Sequence, residues 1–164
     1  VDFGSGILRN SFLASGPEWL INFHGGLSPY FRGSSALFWP FYFQQPELAG
    51  VTYHLINNQI DGGPVLQHNR PKMHAGDTLH DIGCRAIQEA AEAGIRLLRK
   101  LSRVGSLQTF PQKSPGKLFL ERDFRPSHLK IVYDLMKNGL IENYLAHKED
   151  FDRQYSFVDQ LEDD

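Results

Sequence analysis

Three short apolar segments with polar residues at alternate positions predict β-strands. The first runs from Trp19 to His24 and meets Gly25 and Gly26, which is typical of a strand entering a glycine turn. Because strand side chains repeat every two residues, Asn22 and His24 are expected on the same side of the sheet. The other strands are predicted over residues 51–56, with Val51, Tyr53 and Leu55 on one face and Thr52, His54 and Ile56 on the other, and from residue 65 to 67 or 68.

Apolar residues three or four positions apart predict one long helix in the middle of the chain. Its N-cap is expected at Asp77 or Thr78, and Gly105 follows its end. The apolar stripe consists of Leu79, Ile82, Ala86, Ala90, Ala93, Leu97 and Leu101.

Shorter helices are predicted on both sides of the long one. Ser34 or Ser35 can cap a helix through Phe38 and Trp39, and Pro40 is expected to bend or end it. Two further helices are predicted after residues 126–127 and around residues 141–145, and the acidic tail over residues 149–164 is expected to fray. The alternation of strand, helix and strand predicts an α/β fold with the C-terminal helices as an appendage.

The composition indicates one globular domain and excludes some classes of partner. The 164 residues carry 17 Lys and Arg against 19 Asp and Glu, so no general positive field favours nucleic acid as the main partner. The single cysteine, Cys84, lies in a helical pattern beside Ile82 and Ala86 and is expected to be a packed thiol in a reducing compartment. No run approaches the roughly 18 apolar residues of a membrane span, and no signal-peptide pattern opens the chain. We therefore expect a cytoplasmic protein without a membrane partner.

Asn22 and His24 are the first candidates for chemistry. They lie at the end of a predicted strand, where open α/β sheets place their ligands. An amide donor beside an imidazole can stabilise an oxyanion, and a histidine can move a proton near neutral pH. The structural alternative is that Asn22 satisfies a turn and His24 caps the strand.

His54 and Asp61 form a second candidate pair, seven residues apart on a predicted strand and the loop after it. A carboxylate there can fix the tautomer of a histidine or raise its pKa, although Asp before Gly is also ordinary turn chemistry. Two histidines and a carboxylate also suit zinc or iron, but the spacing is not that of a helix-borne HExxH motif, so no metal is predicted. Glycine-rich nucleotide-binding motifs and the G-x-S-x-G nucleophile elbow are absent.

Three motifs in order resemble the folate-dependent formyltransferase family, which includes glycinamide ribonucleotide, methionyl-tRNA and amino-sugar formyltransferases. The motifs are NFHGGLSPYFRG at residues 22–33, GVTYH at residues 50–54 and IDGGPVL at residues 60–66. The resemblance covers roughly residues 3–101 and implies a Rossmann-like fold, of which this chain contains the second half. The chain opens at Val1 without the family's N-terminal half, so two alternatives are open: it is a piece of a longer protein, or the protein has lost that half. It departs from the family at Gly26, where serine is common, and at Ser28, where leucine is common.

The resemblance implies a catalytic set of Asn22, His24 and Asp61, with His54 matching the histidine that ends the family's G-x-T-x-H strand. It implies 10-formyltetrahydrofolate as the formyl donor and no metal. The implied folate-binding residues are Ser5, Gly6, Ile7, Leu8, Asn22 and Ile60, with the loop of residues 57–61 as the other wall of the slot.

The implied reaction is transfer of a formyl group to the amine of a small molecule. Two alternatives stay open, namely a formyltetrahydrofolate hydrolase and a non-catalytic binding or assembly module derived from the family. A tRNA acceptor is disfavoured by the acidic end and the short tail after Leu101. The aromatic run at residues 38–43 is expected to be core or a subunit contact, which keeps a homodimer open. The expected division is a catalytic half-domain over residues 1–107, followed by a connector and helical tail of unassigned role over residues 108–164.

Overall fold

The computed structural model describes residues 1–4, 8 and 10–161 of the chain. Within that part the strands, in chain order, are β1 (Ile21–His24), β2 (Phe31–Gly33), β3 (Val51–Leu55), β4 (Val65–Asn69) and β5 (Lys117–Phe119). The α-helices are α1 (Asn10–Ser15), α2 (Trp39–Tyr42), α3 (Leu79–Val104), α4 (Pro126–Lys137), α5 (Leu140–Ala146) and α6 (Lys148–Asp152). Single turns of 3₁₀ helix cover Pro46–Leu48 and Glu121–Asp123.

The central sheet has the order β1-β3-β4, and both of its strand pairs are antiparallel. In the register of β1 and β3, Asn22 lies opposite His54 and His24 lies opposite Thr52. Asp2 extends the sheet beyond β1 through a parallel bridge to Asn22. Because directly opposed residues of an antiparallel pair share a face, this register puts Asn22 and His54 side by side.

Helix α3 has the termini that the sequence predicts. Thr78 is its N-cap and accepts a hydrogen bond from the backbone N–H of Asp81, whose carboxylate accepts one from the N–H of Thr78. Gly105 follows the last turn with a φ of 77°, the left-handed conformation that glycine adopts without strain. Both ends of the helix are therefore determined by local sequence.

Close contact between β3 and α3 decides which face of the sheet is core. The hydroxyl of Tyr53 donates to the carbonyl of Ala90 at 3.1 Å, and a Cβ at Gly94 would stand 2.0 Å from that hydroxyl. Only glycine at position 94 allows this approach. Burial here raises the pKa of Tyr53 to about 12. The predicted alternation along β3 is thus confirmed, and His54 is left on the face away from α3.

The aromatic run of residues 38–43 contributes mainly to a second core beside α4 and α5. The Trp39 ring stacks on Phe119 of β5 with centroids 4.3 Å apart, and Phe41 is completely buried. The expectation that Pro40 bends or ends the helix is wrong, because Pro40 lies in the first turn of α2. A proline fits there since the first N–H groups of a helix have no partner within it.

Cys84 is exposed, so the expected packed thiol is wrong. Ile82 and Ala86 are both fully buried and lie four positions apart on one face of α3. Cys84 is two positions from each, which turns its side chain to nearly the opposite side of the helix.

The C-terminal residues cover the outer edge of β4. The N–H of His68 donates to the carbonyl of Val158 at 2.8 Å, and the N–H of Gln160 donates to Oε1 of Gln67 at 3.0 Å. The expected fraying is therefore wrong for residues 149–161, which include α6, while residues 162–164 lie outside the described part. Covering an edge strand satisfies backbone groups that could otherwise pair with another chain. No helix in the described ranges is both long enough and apolar enough to cross a membrane.

Candidate active site

The side-chain amide of Asn22 joins two elements at the end of β1. Its Nδ2 donates to Oδ1 of Asp61 at 3.0 Å and lies 3.1 Å from Nε2 of His54. Nδ1 of His54 lies 2.9 Å from the carbonyl oxygen of Leu55, to which it can donate a proton, so Nε2 of the neutral ring is free to accept from Asn22. Both amide hydrogens of Asn22 are thus engaged within the protein.

Both ring nitrogens of His24 face oxygen acceptors. Nε2 lies 3.1 Å from the carbonyl oxygen of Phe31, and Nδ1 lies 3.3 Å from Oδ2 of Asp61. A neutral ring carries one N–H and satisfies one acceptor, whereas the imidazolium satisfies both. The His24–Asp61 pair is therefore arranged to hold one additional proton.

Asp61 is held by two other segments of the chain, one through a backbone N–H and the other through a side-chain amide. The N–H of Gly33 donates to its Oδ2 at 2.8 Å, and Asp61 itself has a φ of 46° in the left-handed region. Asp tolerates that conformation better than most residues. The side-chain amide of Gln112 donates to the carbonyls of Asp61 and Gly63, each at 2.8 Å. Gln112 was missed by the sequence analysis, because it lies in a connector without periodicity, 51 positions from Asp61.

An irregularity in the sheet accompanies the position of His54. Tyr53 pairs with Gln67 on β4, but the next residue, His54, pairs with Val65 instead of the adjacent position, so the register shifts by one residue. Such bulges re-aim side chains and occur often beside active sites. His54 is 2% exposed, and its Nε2 lies 3.4 Å from Oδ1 of Asp61.

Burial and charge act in opposite directions on the pKa values of this cluster. Burial lowers the pKa of His24 below its ordinary value and outweighs the Asp61 carboxylate and the Phe31 carbonyl, which raise it. Burial alone would raise the pKa of Asp61, but the adjacent His54 and His24 rings and the Gly33 N–H together hold it below its ordinary value. At neutral pH the cluster therefore contains an ionised carboxylate beside a neutral His24.

A cavity of about 860 Å³, which we call the Asn22 cavity, opens beside these side chains. Asn22, His24, His54 and Asp61 line it together with the loop of residues 56–61. Of the predicted folate-binding residues, Leu8, Asn22 and Ile60 line this cavity, while Ser5, Gly6 and Ile7 lie outside the described residues. A further wall, which no sequence pattern indicated, is formed by Phe119 at the end of β5 and by the two residues that follow it. In the described part of the chain, no group of three or more His, Cys, Asp or Glu side chains is suited to a metal ion.

An amide donor, a neutral imidazole and an ionised carboxylate lie together at the wall of one cavity. Such a site can stabilise charge on a carbonyl oxygen and accept a proton from a nucleophile. The family model for formyl transferases matches residues 3–98, so the chain belongs to the formyltransferase family.

The chain resembles curated and solved members of that family. It is 31% identical over 106 residues to the methionyl-tRNA formyltransferase of Thermosynechococcus vestitus, an alignment that covers 65% of this chain and 31% of that protein. Its fold is similar to that of the formyltransferase PseJ from Anoxybacillus kamchatkensis, which was solved in complex with a formamido sugar nucleotide and tetrahydrofolate. The TM-score is 0.65 and the identity is 24%, and the match covers 74% of this chain and 63% of that one. A 4-N formyltransferase from Francisella tularensis matches with a TM-score of 0.64, 18% identity and coverage of 80% and 57%.

These comparisons confirm the predicted Rossmann-like α/β fold of the formyltransferases. The chain spans about a third of the curated relative's length and about three fifths of the two solved chains.

Proposed function

We propose that the protein transfers a formyl group from 10-formyltetrahydrofolate to the amine of a small molecule, with Asn22, His24 and Asp61 as the catalytic residues. The observation that carries the proposal is the convergence of these three side chains, from β1 and the Asp61 loop, at the Asn22 cavity. Membership of the formyltransferase family supports the reaction, and the tetrahydrofolate in the PseJ structure supports the donor.

In the proposed reaction the amine nitrogen attacks the formyl carbon, and the electron pair of the carbonyl π bond moves onto oxygen. Asn22 donates to that oxygen by exchanging one of its two internal hydrogen bonds for a bond to substrate. The amine proton passes to Nδ1 of neutral His24, and Asp61 stabilises the imidazolium that forms. The electron pair on oxygen then re-forms the carbonyl π bond, the bond between the carbon and N10 of the folate breaks with its electron pair staying on N10, and His24 gives its proton to N10.

Of the two roles open to His24, oxyanion stabilisation and proton transfer, this assignment takes proton transfer. Nε2 of His24 faces the Phe31 carbonyl, so donation to the oxyanion falls to Asn22, and His24 serves as the proton acceptor. The depressed pKa of His24 suits that role, because the ring is unprotonated before the amine attacks.

The proposal is tested with the full-length protein, by following tetrahydrofolate formation from 10-formyltetrahydrofolate with a panel of amines. Asn22→Ala and Asp61→Asn are each expected to lower kcat by about two to three orders of magnitude, and Asp61→Asn is expected to retain binding of 5-formyltetrahydrofolate. Asp134→Asn is the matched control, because Asp134 is an exposed carboxylate paired with Lys130 on α4, and it should leave kcat unchanged.

The pH profile separates catalysis from structure. Loss of the Asp61 charge removes an interaction that raises the pKa of His24, so the acid limb of kcat should move to lower pH in Asp61→Asn. Formate release without any amine would support the hydrolase instead. Absence of folate binding, together with no effect of His24→Ala, would favour the non-catalytic module.

A further inference from the structure

A second cavity, of about 800 Å³, lies beside the N-terminal half of α3. We call it the Cys84 cavity, because the exposed thiol of Cys84 lies in its wall. It shares His24, Gly25 and Gly33 with the Asn22 cavity. The two cavities therefore meet at the proposed proton acceptor, and a Cβ built at Gly25 finds no atom within 4 Å at this junction.

The lining of the Cys84 cavity is mainly aliphatic and aromatic. Its apolar side chains include Leu37, Phe38, Phe41, Ile87, Phe124 and Leu129. Among the described residues that form its wall, none is Asp, Glu, Lys or Arg, and the polar side chains are His24, Ser35, His80, Cys84 and Gln88. A phosphate or carboxylate placed here would lose its water without gaining a cation from this wall, which disfavours anionic ligands.

We propose that the Cys84 cavity binds the acceptor, and that the acceptor is a primary amine with an apolar alkyl or aryl body and no phosphate. The inference rests on the proposed function, since a transfer reaction brings two substrates to one catalytic group. With the donor in the Asn22 cavity, an amine in the Cys84 cavity approaches His24, which lines both cavities. The apolar wall binds the body of the amine by excluding water from both surfaces.

Gly83 offers a way to fill this cavity without disturbing the core. It lies in α3 and in the cavity wall, and a Cβ at this position meets no heavy atom within 4 Å. Gly83→Phe and the smaller Gly83→Leu should therefore occupy the cavity while α3 stays intact. Ala91→Phe places the same ring at an exposed position of the same helix outside the cavity and is the matched control.

Cys84 reports occupancy independently of activity. Full-length protein is treated with N-ethylmaleimide, and modification is followed by mass spectrometry on the tryptic peptide of residues 73–85, in which Cys84 is the only cysteine. The probes are 2-phenylethylamine, 2-phenylethanol and glucosamine 6-phosphate. We expect the two phenyl compounds to slow modification at least fivefold, glucosamine 6-phosphate to have no effect, and the protection to disappear in Gly83→Phe and Gly83→Leu but not in Ala91→Phe.

Formyl transfer is measured on the same proteins. We expect kcat/KM for 2-phenylethylamine to exceed that for glucosamine 6-phosphate at least tenfold, and to fall at least tenfold in both Gly83 variants while 5-formyltetrahydrofolate binding is unchanged.

Better protection or faster transfer with the phosphorylated amine overturns the inference, and so does absence of protection by the phenyl compounds. If N-ethylmaleimide does not modify Cys84 in the full-length protein without any probe compound, the inference is also overturned, because another segment then fills the cavity. Protection by the phenyl compounds without transfer to any amine contradicts the proposed function but leaves an apolar binding site.

Discussion

Gly26 approaches His24 so closely that a Cβ on Gly26 would lie 2.6 Å from Nε2 of the imidazole. The same Cβ would stand 2.4 Å from that of Ala36 and 2.8 Å from the carbonyl oxygen of Phe31, which is the partner of the His24 ring. This contact gives a physical reason for glycine at position 26, where serine is common in the family.

Gly26→Ala is therefore expected to displace the His24 ring and to lower the free energy of unfolding by about 1–3 kcal/mol. Urea denaturation measures the stability, and the NMR shift of the His24 Hε1 proton reports the ring position. Gly25→Ala is the control for adding a methyl group to the same turn, since a Cβ at Gly25 meets nothing within 4 Å. Equal stability of the two variants would contradict the close contact.

Gln112→Leu should loosen the loop that carries Asp61, because it removes both hydrogen bonds from the Gln112 amide to the carbonyls of Asp61 and Gly63. Asp61 then loses part of the support for its positive φ. We expect kcat/KM for formyl transfer to fall about tenfold, since small displacements of a reacting group have large effects on rate. Gln154→Leu, at an exposed glutamine of the C-terminal segment, is the control. A loss of stability with unchanged kcat/KM would show that Gln112 supports only the fold.

His68 makes the protein less stable in acid. Its Nε2 lies 2.8 Å from the carbonyl oxygen of Ser28, its Nδ1 accepts from the N–H of Val158, and burial lowers its pKa from 6.5 to about 4. Between these two values the unfolded chain binds more protons than the folded one. The contribution of the neutral His68 ring to the free energy of unfolding is therefore fully present above about pH 6.5. It falls by about 3 kcal/mol as the pH is lowered to about 4.

The measurement for His68 is urea denaturation between pH 4 and pH 7.5. His68→Gln keeps a donor and an acceptor without a titrating ring, so its stability should depend less on pH than that of the unaltered protein. His24 and carboxyl groups such as Asp61, Asp77 and Asp152 contribute to the remaining dependence, because their lowered pKa values also favour unfolding in acid. His147→Gln, at an exposed histidine, should leave the slope unchanged.

The Ser28 hydroxyl is buried and has no hydrogen-bond partner, although the backbone N–H of the same residue donates to Oγ1 of Thr52. An unsatisfied buried polar group destabilises a protein, so Ser28→Ala is expected to raise the free energy of unfolding by about 1 kcal/mol. Thr52→Val should have the opposite effect, because Oγ1 of Thr52 also donates to the carbonyl of Gly26 at 2.7 Å. Chemical denaturation of both variants tests the pair, and a less stable Ser28→Ala would indicate a partner for the hydroxyl.

Much of the architecture followed from local patterns. The strand of residues 51–56 and the stripe that begins at Leu79 are confirmed, since alternation and helical periodicity depend only on neighbouring residues. Pro40 was assigned to the wrong end of its helix, because a proline marks a boundary without showing on which side the helix lies. Cys84 was placed on the wrong face by its proximity in sequence to buried residues.

The sequence by itself determined the three strands of the central sheet, the long helix, the family and the candidates Asn22, His24 and Asp61, because each depends on short-range periodicity or on a compact motif. Their catalytic roles stay a prediction. Only the tertiary structure decided that Asn22 faces His54 across the sheet, that Gln112 holds the Asp61 loop, and that Val158 reaches His68. The physical reason is that these contacts join positions 32 to 90 residues apart, where chain packing decides which partner a polar group meets.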